Sequence, residues 1–167
     1  YRFFVDRFAI FFFLGSALIL AVTLIFGSTG DNIETANRSW LNIPFINIAI
    51  QPSEFVKIAF IISFSKHLSM VKDTINKIKT LIPLAIHAGI IVVLILLSGD
   101  LGVAIIYIGI IAIMLAFAGL SRWYFIGALG FVAVLFPFIW PLLSTYQQQR
   151  ILIGFQPELD PTKYGFQ

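Results

Sequence analysis

The sequence predicts an all-α, polytopic membrane protein, built as a helical bundle with about five transmembrane helices. Three observations predict this class: the chain is mostly apolar, it is poor in charge, and its apolar residues form span-length runs. Hydrophobic residues make up 59% of the 167 residues and charged residues 11%, and the mean hydropathy is +0.97. Soluble domains average about 25% charged residues. Lipid must therefore be the main solvent of this chain.

Four stretches without Asp, Glu, Lys or Arg are long enough to span a bilayer. Each has about 20 residues, which at about 1.5 Å per residue matches a hydrocarbon core of about 30 Å. A fifth stretch is apolar apart from Glu54 and Lys57 near its start and Lys66 near its cytoplasmic end. It is predicted to span because otherwise the helices before and after it would not have consistent orientations. The five predicted helices cover residues 8–26, 52–68, 80–98, 101–120 and 123–143.

Cationic residues set the predicted orientation, because cytoplasmic loops are enriched in Lys and Arg. With the N-terminus inside, seven cations lie on the cytoplasmic side: Arg2, Arg7, Lys66, Lys72, Lys77, Lys79 and Arg122. Three lie outside: Arg38, Arg150 and Lys163. This orientation predicts two external polar loops, residues 27–51 and 144–167, within a single transmembrane domain of residues 1–167. It also predicts a tight outer turn at Ser98-Gly99-Asp100, where glycine adopts conformations that other residues resist.

The chain ends also carry a prediction. It begins at Tyr1 and stops at Gln167 inside a polar segment, so we expect a fragment of a longer protein. The first apolar run has span length and no small-x-small cleavage site after it, which argues against a signal peptide. The absence of cysteine excludes disulfides, thiolate metal sites and a cysteine nucleophile.

Glu54 and Lys57 are three residues apart and share one helix face. Charges at the edge of a span are costly unless they are paired or face a polar cavity. Two compatible interpretations follow: a structural ion pair that anchors the helix, and a Lys57 side chain that faces an outer cavity and meets an anionic ligand.

Asp100 and the two histidines have simple structural interpretations. Asp100 begins a predicted helix, where a carboxylate caps unpaired amides; contact with a ligand or cation is the alternative. His87 lies in mid-span, where an interhelical hydrogen bond is expected. His67 lies at a helix end, where contact with the helix dipole suffices. Neither histidine has the sequence partners of a metal site.

The last loop contains two acids among prolines, in the string Gln156-Pro-Glu-Leu-Asp160-Pro161. Pro157 and Pro161 stiffen the backbone, which suits the precise placement of a carboxylate. A solvated loop of turn residues is the alternative.

Four strings together resemble the RodA/FtsW family of cell-wall glycosyltransferases (the SEDS family: shape, elongation, division, sporulation). Their order and spacing along residues 38–167 match the family, whose members are about twice as long. The strings are Arg38-Ser-Trp-Leu, Gln51-Pro-Ser-Glu-Phe-Val-Lys57, Asp100-Leu-Gly, and the loop from Arg150 to Gln167.

The chain departs from the family pattern at a few positions. Ser98-Gly99 stands where Gln-Pro is usual, Lys163 where the family has Gly, and Phe166 where it has Tyr. Gln156 replaces the first acid of the last loop, which leaves Asp160 as the match to the second. The last loop also lacks the Trp that is usual in division-type members, which favours the elongation (RodA) branch.

The resemblance implies a peptidoglycan glycosyltransferase of the bacterial cytoplasmic membrane that polymerises lipid II at the outer face. It also implies a role in cell-wall elongation and cell shape, with a class B penicillin-binding protein as partner and no nucleic acid. The expected general base is Asp160. Expected substrate-binding residues are Lys57, Arg38, Arg150, Glu54 and Asp100. The departing pyrophosphate needs stabilisation by cations, or by a divalent ion as a cofactor.

Two alternatives come from other functional classes. A lipid-precursor flippase or other transporter would need a polar path across the midplane, and four of the five predicted helices carry no charge. A non-catalytic scaffold for wall-synthesis enzymes would not need the Asp160 loop. The site, and not the fold, decides between these classes.

Overall fold

The computed structural model describes residues 2–28, 38–43, 48–143 and 145–155. The helices in these residues are α1 (Arg2–Phe26), α2 (Pro52–Val71), α3 (Ile78–Leu97), α4 (Leu101–Phe117), α5 (Arg122–Ile139) and α6 (Thr145–Phe155). Two short strands, β1 (Leu41–Ile43) and β2 (Ile48–Ile50), pair in antiparallel fashion, and short 3₁₀ turns cover Lys72–Thr74 and Trp140–Leu142. The chain forms two compact units, Tyr1–Arg122 and Trp123–Gln167.

Helices α1 to α5 correspond to the five predicted spans, and their bounds differ by a few residues. α1 begins six residues before the predicted Phe8, and α2 continues three residues beyond Leu68. The α1 prediction stopped at Arg7, but Arg is a good helix former and extends from a helix end towards water. Residues 69–71 carry no charge and continue α2 by one further turn. The single transmembrane domain of residues 1–167 stays a prediction.

Local chemistry explains where the helices meet their turns. Gln51 is extended, and Pro52 follows it at the first helical position of α2, where its missing N–H costs nothing. Gly99 lies two residues after the end of α3 and has a left-handed φ of 85°, and its N–H bonds the Leu96 carbonyl. Asp100 then caps α4. The predicted tight turn at Ser98-Gly99-Asp100 is confirmed.

The core of the first unit is built around α2, which packs against α1, α3 and α4. Phe60 and Phe64 of α2 are fully buried and stack with ring centroids 5.2 Å apart. Tyr107 of α4 is also fully buried, and its ring lies 5.5 Å from that of Phe60. α2 is therefore the central helix of this unit, although it carries Glu54, Lys57 and Lys66.

α1 buries two hydroxyl side chains against this core. Ser16 and Thr23 are 2% and 3% exposed. Each bonds the carbonyl four residues earlier in its own helix: Ser16 Oγ lies 2.6 Å from Phe12 O, and Thr23 Oγ1 lies 2.7 Å from Ile19 O. α1 thus satisfies its buried hydroxyls without a partner helix.

The outer surface of the helices is strongly apolar. Large side chains such as Phe11, Leu18, Phe117 and Leu129 are more than 60% exposed, which is the pattern of a surface that contacts lipid tails. Phe8–Phe26, α3 and α5 are long and apolar enough to cross a bilayer, and α4 is an apolar helix of 17 residues. The protein is therefore an all-α, polytopic membrane protein, as predicted.

The connections of the first unit lie at two ends. Asn76, between α2 and α3, donates from Nδ2 to Gly119 O and accepts at Oδ1 from the Ser121 N–H, so the α2–α3 and α4–α5 connections lie together. At the other end of the unit, main-chain hydrogen bonds and one side-chain hydrogen bond, described below, connect the last residues of α1 and α3 with the first residues of α2 and α4. α1 to α4 thus alternate in direction.

The predicted loop of residues 144–167 is wrong in part, because residues 145–155 form helix α6. Its polar sequence, Tyr-Gln-Gln-Gln-Arg, gives no hydropathy signal for a helix, although Gln and Arg are good helix formers. Gln148 Nε2 donates to Trp140 O at 2.8 Å, which ties α6 to the end of α5. Likewise, part of the predicted loop 27–51 forms the β1–β2 hairpin.

A candidate site where three motifs meet

Three of the four sequence motifs converge at one end of the first unit. We call this the motif end; its residues are 27–28, 38–43, 48–57 and 98–103. It contains the end of α1, the β1–β2 hairpin, the start of α2 and the α3–α4 turn. Residues as far apart in the sequence as Gly27 and Val103 thus lie at the same end of the unit.

Asp100 links two of these motifs through its carboxylate. One oxygen accepts from the Val103 N–H at 3.1 Å, which is the predicted helix cap. The other accepts from Gln51 Nε2 at 2.7 Å, so α4 is tied to the residue that precedes α2. Both oxygens are engaged by neutral donors, and Asp100 therefore acts as a structural bridge in this arrangement.

The Arg38-Ser-Trp motif is fixed by its main chain. The Arg38 N–H donates to Ser98 O at 2.9 Å, and Ser28 and Trp40 exchange main-chain hydrogen bonds of 2.7 and 3.3 Å. The Arg38 side chain is exposed. This anchoring holds a guanidinium at the motif end while its backbone stays bound to the ends of α1 and α3.

Buried hydroxyls lie beneath this surface. Tyr107 Oη donates to Ser53 O at 2.7 Å, which ties α4 to the first turn of α2. Ser39 and Ser53 are 4% and 5% exposed, and their hydroxyls have no hydrogen-bond partner among the described residues. A cavity of about 10 Å³ touches both residues, close to the smallest that admits one water molecule.

The predicted ion pair of Glu54 and Lys57 is confirmed. Lys57 Nζ lies 2.9 and 3.0 Å from the two carboxylate oxygens of Glu54. The Lys57 side chain is 21% exposed and that of Glu54 is 52% exposed, so the pair lies at an open face of α2. A ligand anion could replace or share Glu54 there because the ammonium remains reachable.

The structure describes no side-chain geometry for two other predicted site residues, Asp160 and Arg150. Asp160 lies outside the described residues, and Arg150 is placed only as a backbone position in α6. No group of three or more His, Cys, Asp or Glu side chains that could hold a metal lies among the described residues. Asp100 and Glu54 are therefore single carboxylates, and a divalent ion would need ligands from elsewhere.

Sequence reasoning missed several residues that build this end. Gln51 and Ser53 were recognised as parts of a motif, but their partners, Asp100 and Tyr107, lie 49 and 54 residues away. Gly27 was assigned only to a loop. A Cβ at Gly27 would overlap the carbonyl oxygens of Thr23 and Arg38. No local sequence pattern predicts so close a contact between these backbone segments.

The fold and the motif end together define a class: a polytopic helical membrane protein with reachable cations at one end of its bundle. The chain belongs to the family described as cell cycle protein, FTSW_RODA_SPOVE, whose family model matches residues 1–167.

Relatives and a solved structure agree with this assignment. A probable peptidoglycan glycosyltransferase FtsW of Trichlorobacter lovleyi is 34% identical over 90% of this chain, and one of Geobacter metallireducens is 33% identical over 96%. A solved chain described as "Structural coordination of polymerization and crosslinking by a peptidoglycan synthase complex" matches with a TM-score of 0.72 at 27% identity. That match covers 96% of this chain and 46% of the solved one.

The chain spans 39% and 42% of the length of these two curated relatives. Both relatives carry the name FtsW, and the family model includes both names, RodA and FtsW. The elongation branch therefore stays a prediction.

Proposed function

We propose that the protein is a peptidoglycan glycosyltransferase that polymerises lipid II at the outer face of the bacterial cytoplasmic membrane. The growing glycan chain is the second substrate, and a class B penicillin-binding protein is the partner. The observation that supports this proposal is the motif end, to which exposed Arg38 and partly exposed Lys57 both belong.

The chemistry of a lipid-linked sugar donor fits such a site. Its tail stays in the bilayer and its pyrophosphate lies at the interface, so the enzyme needs cations at the end of its helices. The pyrophosphate leaves as an anion, and fixed cations that stabilise its developing charge lower the barrier. Lys57, Arg38 and Arg150 are the cations proposed for this role, and Gln51 and Asp100 hold the surrounding backbone in place.

Asp160 is the proposed general base. Its carboxylate accepts the proton of the attacking sugar hydroxyl while the hydroxyl oxygen bonds to the anomeric carbon of the donor. The bond from that carbon to the pyrophosphate breaks, and its electron pair leaves with the phosphate. Positioned general bases contribute about 10²–10⁴-fold to rate.

The test is polymerisation of lipid II by the purified protein, with and without its transpeptidase partner. Asp160→Asn keeps the size of the side chain but removes its affinity for a proton, so we expect polymerisation to fall by about 10²–10⁴-fold. Glu158→Gln, two residues away, is the matched control and should retain activity within a few-fold.

Near-normal polymerisation by Asp160→Asn would show that the loop is structural. Absence of polymerisation by the wild-type complex, with lipid II crossing vesicles that contain the protein, would support the flippase class instead. Absence of both, with intact recruitment of the partner, would support the scaffold class.

A further inference from the structure

We propose that a crevice between α1, α2 and α3, at the end of the first unit opposite the motif end, binds one anionic phospholipid of the surrounding bilayer. Its phosphate would lie at Lys66 and His67, and an acyl chain would lie along the apolar walls. This site goes beyond the proposed polymerase function, which belongs to the other end of the helices.

The crevice has the size and composition of a site for an amphiphile. Its volume is about 390 Å³, within the range of about 300–1,000 Å³ that is usual for ligand pockets. Ile10 and Phe13 of α1 and Ile86 and Ile90 of α3 supply apolar walls. Ile10 and Ile86 are each 57% exposed, so the walls continue into the lipid-facing surface of the helices.

Polar groups collect on the α2 side of the crevice. Ser63, Lys66 and His67 of α2 and His87 of α3 all line it. The α2–α3 connection carries exposed Lys72 and Lys77, and Lys79 is exposed in the first turn of α3; the acids at this end are Asp73 in the connection and Asp6 near the start of α1. Basic pockets between transmembrane helices, with basic segments beside them, are typical of sites for anionic lipid headgroups.

A chain of hydrogen bonds orients His67 towards this ligand. Ser63 Oγ donates to Phe60 O at 3.0 Å, so it accepts from His87 Nε2 at 3.3 Å. His87 Nδ1 is then the acceptor for the His67 Nδ1–H at 3.1 Å. The remaining ring nitrogen of His67, Nε2, is left for a ligand and donates to a phosphate oxygen when the imidazole is protonated.

Depth along the helices also suits a phospholipid. Lys66 lies five residues before the end of α2, or about 7.5 Å along the axis, while His87 lies nine residues into α3, or about 13.5 Å deep. Lys66 and His67 are therefore near the interface, where lipid phosphates are, and the apolar walls continue towards the bilayer centre. His87 is a positioning residue for His67, enclosed by the rings of Phe13, Phe60 and Phe64.

A packed helix fits the crevice less well than a lipid. An α-helix with its side chains is about 10–12 Å across, and an apolar one would enclose the His67 imidazole, which lines the crevice, in a dry contact, which is costly. A phosphodiester is a polar partner for that ring, and its acyl chain covers the apolar walls.

Native mass spectrometry of the delipidated protein in detergent tests this proposal. Phosphatidylglycerol and phosphatidylcholine with identical acyl chains are titrated separately, and we expect one phosphatidylglycerol to bind in preference. Lys66→Gln should lower phosphatidylglycerol affinity about fivefold, from the roughly 1 kcal/mol that one basic residue contributes. Lys72→Gln makes the same charge change outside the crevice and should alter affinity less than twofold.

A second variant tests the apolar walls. Ala9→Phe narrows the crevice and should lower affinity for long-chain phosphatidylglycerol more than for a short-chain analogue, while Ile105→Phe, on the exposed face of α4, should not. Equal binding of both lipids, equal losses in Lys66→Gln and Lys72→Gln, or exclusive binding of a polyprenyl phosphate would each overturn the proposal. Lipid II polymerisation is measured separately, so a failure of the phospholipid-binding proposal can be distinguished from a failure of the proposed polymerase function.

Discussion

Gly27 marks the point where the end of α1 meets the Arg38 segment. Its N–H bonds Thr23 O, and the space that a Cβ would need is occupied by the backbone carbonyls of Thr23 and Arg38. Backbone cannot move aside as a flexible side chain can. Any side chain at position 27 must therefore displace the segment that presents Arg38.

Gly27→Ala should accordingly destabilise the protein by about 1–3 kcal/mol, the usual cost of forcing atoms into filled space. Gly15→Ala, inside α1, is the control, because a Cβ there meets nothing within 4 Å and alanine favours the helix by up to about 1 kcal/mol. Thermal unfolding in detergent measures both. A lower melting temperature for Gly15→Ala than for Gly27→Ala would contradict this account.

Asp100 offers a second prediction for single residues. Asp100→Ala removes a helix cap worth about 1 kcal/mol and leaves the Gln51 amide without its acceptor, so we expect a loss of about 1–3 kcal/mol. In a double-mutant cycle with Gln51→Ala, the coupling should be about 0.5–3 kcal/mol. Strict additivity would show that the 2.7 Å bond between them contributes nothing to stability.

Local spacing explains which of these contacts the sequence could predict. The Glu54–Lys57 pair and the Asp100 cap each join residues three apart, so helix geometry alone brings them together. The bonds from Gln51 to Asp100, from Tyr107 to Ser53 and from His67 to His87 cross 49, 54 and 20 residues. Such contacts depend on how helices pack, and hydropathy carries no information on that.

At the scale of elements, α2 combines two roles that usually exclude each other. It buries Phe60 and Phe64 in the centre of the core, and it holds the Lys57 ammonium at an open face. Because Glu54 is more than half exposed, their pair adds only about 0–1 kcal/mol to stability. So small a contribution to stability agrees with the proposed role of Lys57 in substrate binding.

Lys57→Ala should separate these two roles. We expect unfolding free energy to change by less than about 1 kcal/mol, while polymerisation falls at least about tenfold, the effect of losing one charge-assisted hydrogen bond of about 1.5–3 kcal/mol. Lys72→Ala, at an exposed site in the α2–α3 connection, should affect neither quantity. Equal activity of the two variants would remove Lys57 from the proposed substrate site.

Elements were predicted well where they cross the membrane and poorly where they do not. α1 to α5 are long apolar segments, and the hydrocarbon core dictates both their length and their helical hydrogen bonding. α6 and the β1–β2 hairpin are not constrained in length or in internal hydrogen bonding, because water can hydrogen-bond their polar groups. Hydropathy therefore reports these segments only as loops.

Because α1 to α4 alternate in direction, the membrane orientation of any one of them determines the orientation of the other three. Ser69 and Asn42 are exposed and lie towards opposite ends of the first unit, so an impermeant maleimide should reach only one of them in intact cells. The excess of cations near Ser69 predicts that Asn42→Cys and Thr162→Cys label and Ser69→Cys does not. These 167 residues contain no cysteine, so none of them adds background labelling.

Permeabilised cells supply the control, because all three variants should then label. Labelling of Ser69→Cys but not Asn42→Cys in intact cells would reverse the orientation and place the motif end on the cytoplasmic side. Lipid II polymerisation at the outer face would then be excluded for this site.

The self-contained hydroxyls of α1 bear on biogenesis. Ser16 and Thr23 already bond their own helix, so α1 can leave the translocon for lipid as soon as it is synthesised. α2 carries Glu54, Lys57 and Lys66 within 20 residues, and charged residues resist transfer into lipid, by up to about 2.5–3.5 kcal/mol each near the centre of a span. Newly made α2 should therefore remain beside the insertion machinery until α1 covers one of its faces, so that α1 serves as its intramolecular chaperone.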